Sequence, residues 1–107
     1  MKRLEQKKML TIITSRAFEK IIIQALRGRG VGGYTVVNAS GAGASGIQSG
    51  MLDSDSNILI YVVLSEARME FVFDDLDDMM QRGYRIKVIV TDISLLPRTK
   101  ESDTSTN

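Results

Sequence analysis

The stretch Asn57-Ile-Leu-Ile-Tyr-Val-Val-Leu64 is, after its first residue, a continuous apolar run rich in β-branched side chains. Such a run suits a central strand, buried on both faces or buried on one face with a subunit contact on the other. Ser65 follows it and opens a helix, with Glu66 and Glu70 near the positive end of the helix dipole. Met69, Val72, Phe73, Leu76, Met79 and Met80 then recur as an apolar stripe, and Gly83 ends the helix. Residues 85–93 read as a further strand, and Pro97 closes the ordered pattern.

Working back from Asn57, the regular pattern disappears over residues 40–56. This segment carries Gly41, Gly43, Gly46 and Gly50 among many small polar residues. Before it, residues 33–39 read as a strand containing Tyr34, Val36 and Val37. Before that, Phe18, Ile21, Ile22, Ala25 and Leu26 mark one apolar helical face, with Ser15 as its cap and Gly28 and Gly30 as its stop. Residues 8–14 form the first strand. The order β-α-β-loop-β-α-β predicts an α+β fold, a ferredoxin-like sandwich with both helices on one sheet face. The apolar excess of 57–64, with Ile23 and Phe71 off the main stripes, is accounted for by a second sheet face buried through oligomerisation. The alternative is an ordinary scatter of surface apolar residues. Residues 1–98 are expected to form one domain, and the polar stretch 99–107 a mobile tail.

Composition narrows the chemistry. The 107 residues fit one compact domain. A net charge of +1 argues against a bulk polyanion binder, because nucleic-acid domains show a basic excess. The chain has no cysteine, which removes disulfides, thiolate zinc sites and thiol nucleophiles. It has no histidine, so the usual near-neutral general base is missing and Ser40, Ser45 and Ser49 have no serine–histidine partner. No apolar run reaches the ~18–20 residues that span a bilayer. The charged start, residues 1–8, leads into a strand rather than a signal peptide, so a cytoplasmic protein without membrane insertion is expected.

Other charged clusters read as solvated surface. Asp74, Asp75, Asp77 and Asp78 crowd the second helix, but a Ca²⁺ or Mg²⁺ site needs more oxygen ligands than helical spacing gathers. Arg27 and Arg29 sit where a helix C-terminus favours cations. Met69, Met79 and Met80 read as core filling. Lys2, Arg3, Lys7 and Lys8 read as a solvated start or part of an electropositive rim.

The segment 40–56 is the informative one. Connections in compact domains have a median of ~4–6 residues, and those beyond ~12–15 are usually functional or disordered. Gly41 and Gly43 stand where a strand leaves the sheet, so successive backbone N–H groups can form a nest for phosphate.

The stretch Gly33-Tyr-Thr-Val-Val-Asn-Ala-Ser-Gly41-Ala-Gly43, at the base of a long β2–β3 loop, resembles the PII signal-transduction superfamily. Within it, the stretch resembles most the PII-like branch of inorganic-carbon control, which includes SbtB-like bicarbonate-transporter regulators and carboxysome-associated PII-like proteins. The resemblance covers about residues 8–98. It implies a homotrimer that binds an adenine nucleotide (ADP or AMP, with ATP or cyclic AMP as further candidates) in clefts between subunits. It also implies a nucleotide-responsive β2–β3 loop, the T-loop, that engages a protein target such as a bicarbonate transporter or a carboxysome component.

By position, the resemblance places Tyr34, Thr35 and Val62 near the adenine. It places Gly41, Gly43, Ala44 and Ser45 at the phosphates. Arg85 and Arg98 become basic phosphate contacts, and Gly43, Ser45 and Arg98 a candidate site for bicarbonate.

Three departures matter. The turn at 81–84 is shorter than the family's B-loop, Leu96 stands where a second arginine is usual, and 40–56 contains no tyrosine to be uridylylated. Fewer cations near the outer phosphates favour mono- and diphosphates over triphosphates. An acylphosphatase-like enzyme is the competing reading of this architecture, but that family's glycine-valine-glutamine-glycine cradle is absent. An RNA-binding module would need more exposed strand aromatics than Tyr34 and Tyr61.

Overall fold

The computed structural model describes residues 3–40 and 57–98. The expectations for Gly41, Gly43, Ala44 and Ser45, for the rest of the long loop and for the tail lie outside the described residues.

The elements run β1 (Glu5–Ser15), a 3₁₀ turn (Arg16–Phe18), α1 (Glu19–Gly28), β2 (Thr35–Ala39), β3 (Asn57–Leu64), α2 (Glu66–Gln81) and β4 (Ile86–Leu95). The sheet order is β2-β3-β1-β4, and every pairing is antiparallel. This is the ferredoxin-like α+β arrangement that the pattern predicts. β3 lies inside the sheet between β2 and β1, as its apolar run requires.

Strand alternation sets the core. Leu10 and Ile12 of β1 and Ile58, Ile60, Val62 and Leu64 of β3 point to the helices and are buried. They meet Ile22, Ile23 and Leu26 of α1 and Met69, Val72, Leu76 and Met79 of α2. Phe18 and Tyr84 close one end with ring centroids 4.8 Å apart. Thr14 is the one buried polar residue among those described, and its hydroxyl donates to the Arg85 carbonyl at 2.9 Å. That bond removes the cost of an unpaired buried hydroxyl.

Several boundaries and faces differ from expectation. Ser15 caps a 3₁₀ turn rather than the helix itself, accepting from the Ala17 N–H at 3.1 Å. Gly28 belongs to α1, and the left-handed step is taken by Gly30 at φ 84°. β2 starts at Thr35, leaving Gly33 and Tyr34 in the approach to it. On α1, Ile23 joins the core while Ile21 is 39% exposed. The apolar residues of α1 span more than the sheet covers, so Ile21 and Ala25 turn to a groove opposite Asp75, Asp78 and Met79 of α2. On α2, Met80 is exposed rather than part of the stripe.

The sheet face away from the helices keeps apolar groups open. Val37, Val63 and Ile89 are each more than 40% exposed there. β1 and β4 also run past the helices as a long ribbon, paired from Thr14–Ile86 to Glu5–Leu95.

Candidate functional site

The main cleft forms where two chain reversals meet. One is the glycine-rich approach to β2, and the other is the junction of β3 with α2. Gly30 turns the chain after α1, with the Gly30 N–H bonded to the Arg27 carbonyl and the Val31 N–H to the Leu26 carbonyl. Val31 is buried and pins the segment, so Gly32, Gly33 and Tyr34 are carried past the end of β3. The resulting cleft encloses about 600 Å³. Tyr34 and Thr35 line one side, Tyr61 and Val63 another, and Lys7 and Arg68 contribute the charged groups.

Arg68 is held in place. Its Nη1 donates to the Arg29 carbonyl at 2.7 Å. A Cβ on Gly30 would stand 2.1 Å from that nitrogen and would push the guanidinium aside, and the positive φ of 84° at this position itself favours glycine. Arg29 in turn forks onto Asp75, which raises the Arg29 pKa and holds the Asp75 carboxyl below its usual range through that hydrogen bond. Lys8, on the neighbouring pair of strands, bonds Asp92, and that contact raises its pKa.

Of the residues expected from sequence, Tyr34 and Thr35 share this cleft. Val62 does not. It is 1% exposed and faces the helices, so its side chain cannot touch a ligand in the cleft. Val63, one position on and therefore on the opposite face, takes the place expected of Val62. Arg85 lies elsewhere. It precedes Ile86, which pairs with Thr14, at the sheet end where Ala39 and Asn57 flank the long loop. The cleft is at the other end, where Thr35 pairs with Tyr61 and Lys8 with Leu64. Arg98 follows β4, whose last residue Leu95 pairs with Glu5 at the cleft's end of the sheet. The expected set is thus divided between opposite ends of one chain.

Lys7, Gly30, Tyr61, Val63 and Arg68 are not in the set read from sequence. Alternation would have separated Val63 from Val62, but an apolar run without polar breaks hides its phase. Nothing in the local sequence of Arg68 signals that it folds back onto Gly30. The groove along the outer side of α1 adds Arg16, Lys20 and Arg27 beside the other flank of Tyr34. Among the described residues, no group of three or more carboxylates gathers as a metal site. None of the described helices is long and apolar enough to cross a membrane.

The comparisons with known proteins fit this geometry. The family model for the nitrogen regulatory protein P-II matches residues 7–102. Among solved structures, the chain is similar to CPII from Thiomonas intermedia K12, a nitrogen regulatory PII-like protein bound to ADP, AMP and bicarbonate. That likeness has a TM-score of 0.80 and 25% identity, covering 91% of this chain and 94% of the other. CPII bound to ADP and bicarbonate gives 0.80 and 28%, covering 91% and 95%. A PII-like signaling protein of Thermus thermophilus gives 0.74 and 25%, covering 90% and 94%. A search of curated proteins returned no match. With a P-II model matched over nearly all of its sequence and PII-like proteins sharing its fold, this chain belongs to the P-II family.

Proposed function

We propose that this chain is a PII-like regulatory protein that binds ADP or AMP in clefts between the subunits of a homotrimer. The observation that carries this is the likeness, over 91% of the chain, to a PII-like protein bound to ADP, AMP and bicarbonate. The division of Tyr34 and Thr35 from Arg85 and the loop base adds a geometric reason. A site containing both sets takes one set from each of two chains. The open apolar sheet face, with Val63 and Ile89 exposed, supports the assembly that brings them together.

In this reading the nucleotide is the input and the loop 40–56 the output. The adenine enters the cleft beside Tyr34 and Thr35. The phosphates are received by backbone N–H groups of Gly41, Gly43, Ala44 and Ser45, with Arg85 and Arg98 as cationic contacts. Bicarbonate shares Gly43, Ser45 and Arg98. Ligand-dependent ordering of the loop creates or hides a surface for a target in inorganic-carbon control, a bicarbonate transporter or a carboxysome component. The switch is only as strong as the ligand's preference for one loop state. The protein acts in the cytoplasm and by binding rather than turnover, a reading supported by the lack of histidine and cysteine, the side chains most often used for near-neutral acid–base and thiol chemistry.

Hydrogen exchange on the trimer tests the output. Residues 41–45 are expected to gain protection when ADP or AMP is added, and equal exchange with and without nucleotide contradicts the reading. Sustained phosphate release from ATP or acyl phosphate favours the acylphosphatase-like alternative instead.

A further inference from the structure

The groove along the outer side of α1 encloses about 520 Å³ and is unequally charged. Arg16, Lys20 and Arg27 line it against one carboxylate, Glu19. The helix gathers them. Lys20, Gln24 and Arg27 follow one another at four and three residues and so share one side of α1, while Ile21 and Ala25 turn to the groove shared with α2. Glu19 is already engaged, with its Oε1 3.8 Å from Nη1 of Arg16. Lys20 and Arg27 form no ion pair with a described residue, whereas Lys8, Arg29 and Arg82 each do. Beneath these cations the lining is apolar. Ile23 is 9% exposed there and continues into the core, and Ala17 lies open beside it.

Cationic walls over an apolar floor complement a chain that carries both carboxylates and apolar side chains. From Arg16 to Arg27 the cations span about 16 Å along the axis, at ~1.5 Å per residue. About five extended residues cover the same length. The cations border a recess rather than crown a ridge, which suits a single chain better than a flat anionic lipid surface.

We propose that the outer groove of α1 docks an extended acidic segment of a partner protein, with its carboxylates on Lys20 and Arg27 and an apolar side chain over Ile23. The contact is a target surface separate from the long loop. Of the residues assigned above to the nucleotide, only Tyr34 borders this groove, so the two readings are tested apart.

The test uses the intact protein and a capped synthetic peptide, acetyl-Asp-Leu-Glu-Ala-Asp-Leu-Glu-amide. Its neutral analogue, with Asn and Gln for Asp and Glu, and vesicles containing phosphatidylserine serve as the competing probes. Backbone amide shifts of Ala17, Lys20, Gln24 and Arg27 report occupancy. The acidic peptide is expected to shift these amides saturably, with an affinity that falls as salt is raised, and the neutral analogue is expected to shift them little. Lys20→Glu and Arg27→Glu should each weaken the peptide about fivefold or more, since each removes an attraction and adds a repulsion. Arg82→Glu, on α2 and outside the groove, changes the net charge equally and should leave peptide affinity at the parent value. Affinity for ADP should be unchanged in Lys20→Glu and Arg27→Glu, and matching circular dichroism shows that the fold is kept.

The proposal is overturned if millimolar acidic peptide leaves these amides unmoved, or if the neutral analogue binds as well. It is equally overturned if Arg82→Glu weakens the peptide as much as Lys20→Glu, which would make the effect one of net charge alone. Shifts given by vesicles and not by peptide replace the protein partner with a membrane. Loss of ADP binding in Lys20→Glu or Arg27→Glu would assign the groove to the nucleotide site instead.

Discussion

Arg29 and Asp75 join the two helices through a forked pair of hydrogen bonds, Nε to Oδ2 at 2.8 Å and Nη2 to Oδ1 at 2.9 Å. Arg29 is the C-cap just beyond α1, and Asp75 lies in the middle of α2. The same guanidinium stands 5.7 Å from the centre of the Phe71 ring. Because the Arg29 carbonyl also receives Arg68, this one residue ties the helix layer to the wall of the cleft.

The pair makes stability depend on pH in a definite direction. The hydrogen bond from Arg29 lowers the Asp75 pKa in the folded state. A depressed carboxyl contributes fully above its unfolded value of about 3.9 and loses that contribution as pH falls through the folded value. The parent should therefore exceed Asp75→Asn in urea stability at pH 7, and the gap should shrink below about pH 4. A gap that stays constant down to about pH 2.5, roughly one and a half units below that reference value, contradicts the assignment.

The corrected face of α1 gives a second test. Ile23 is 9% exposed and Ile21 is 39% exposed. Ile23→Ala should destabilise by about 2–3 kcal/mol, within the range for truncating a buried isoleucine. Ile21→Ala should cost about 1 kcal/mol or less, as at other partly solvated positions. Chemical denaturation of both variants checks this, and equal losses would restore the face read from sequence.

Assembly is tested at the open sheet face. Ile89 of β4 is 44% exposed and lies on that face, away from the helices. A charge there costs the single chain little but would be buried in a trimer. Ile89→Asp is expected to shift light scattering from trimer toward monomer mass while leaving circular dichroism unchanged. A parent that is monomeric at micromolar concentration, or a variant that stays trimeric, speaks against this face as the interface.

Much of the fold is legible in the sequence because its signals are local. The stripe Met69, Val72, Leu76 and Met79 has helical spacing and is buried. Ser65 caps α2 by accepting the Arg68 N–H at 3.1 Å, as its place before an apolar helical pattern predicts. The candidate site is less legible, because its parts depend on phase and long-range contact. The run 57–64 is apolar at every position but the first, so it could not tell Val62 from Val63. The strand ends were also hidden, since the ribbon of β1 and β4 continues through Lys7 and Asp92, where apolar content has already faded. The placement of Arg68 on Gly30 joins residues from separate elements, which periodicity cannot report.

Arg98 carries the most specific expectation at the far end of β4. As an intersubunit phosphate contact, its fork can make two parallel hydrogen bonds that a lysine cannot. Arg98→Ala should weaken ADP or AMP binding about tenfold to a hundredfold, equivalent to ~1.5–3 kcal/mol. Arg98→Lys should recover part of the loss, and the trimer should persist in both. Affinity equal to the parent's in Arg98→Ala would place this arginine outside the site.

The central claim is that the chain binds adenine nucleotide between subunits. Calorimetric titration of the purified protein with ADP and AMP, each with and without bicarbonate, tests it most directly. The account predicts saturable binding of one nucleotide per chain, which requires the trimer and is lost in the monomeric Ile89→Asp variant. No binding of either nucleotide at millimolar concentration, or equal binding by the monomer, would contradict it.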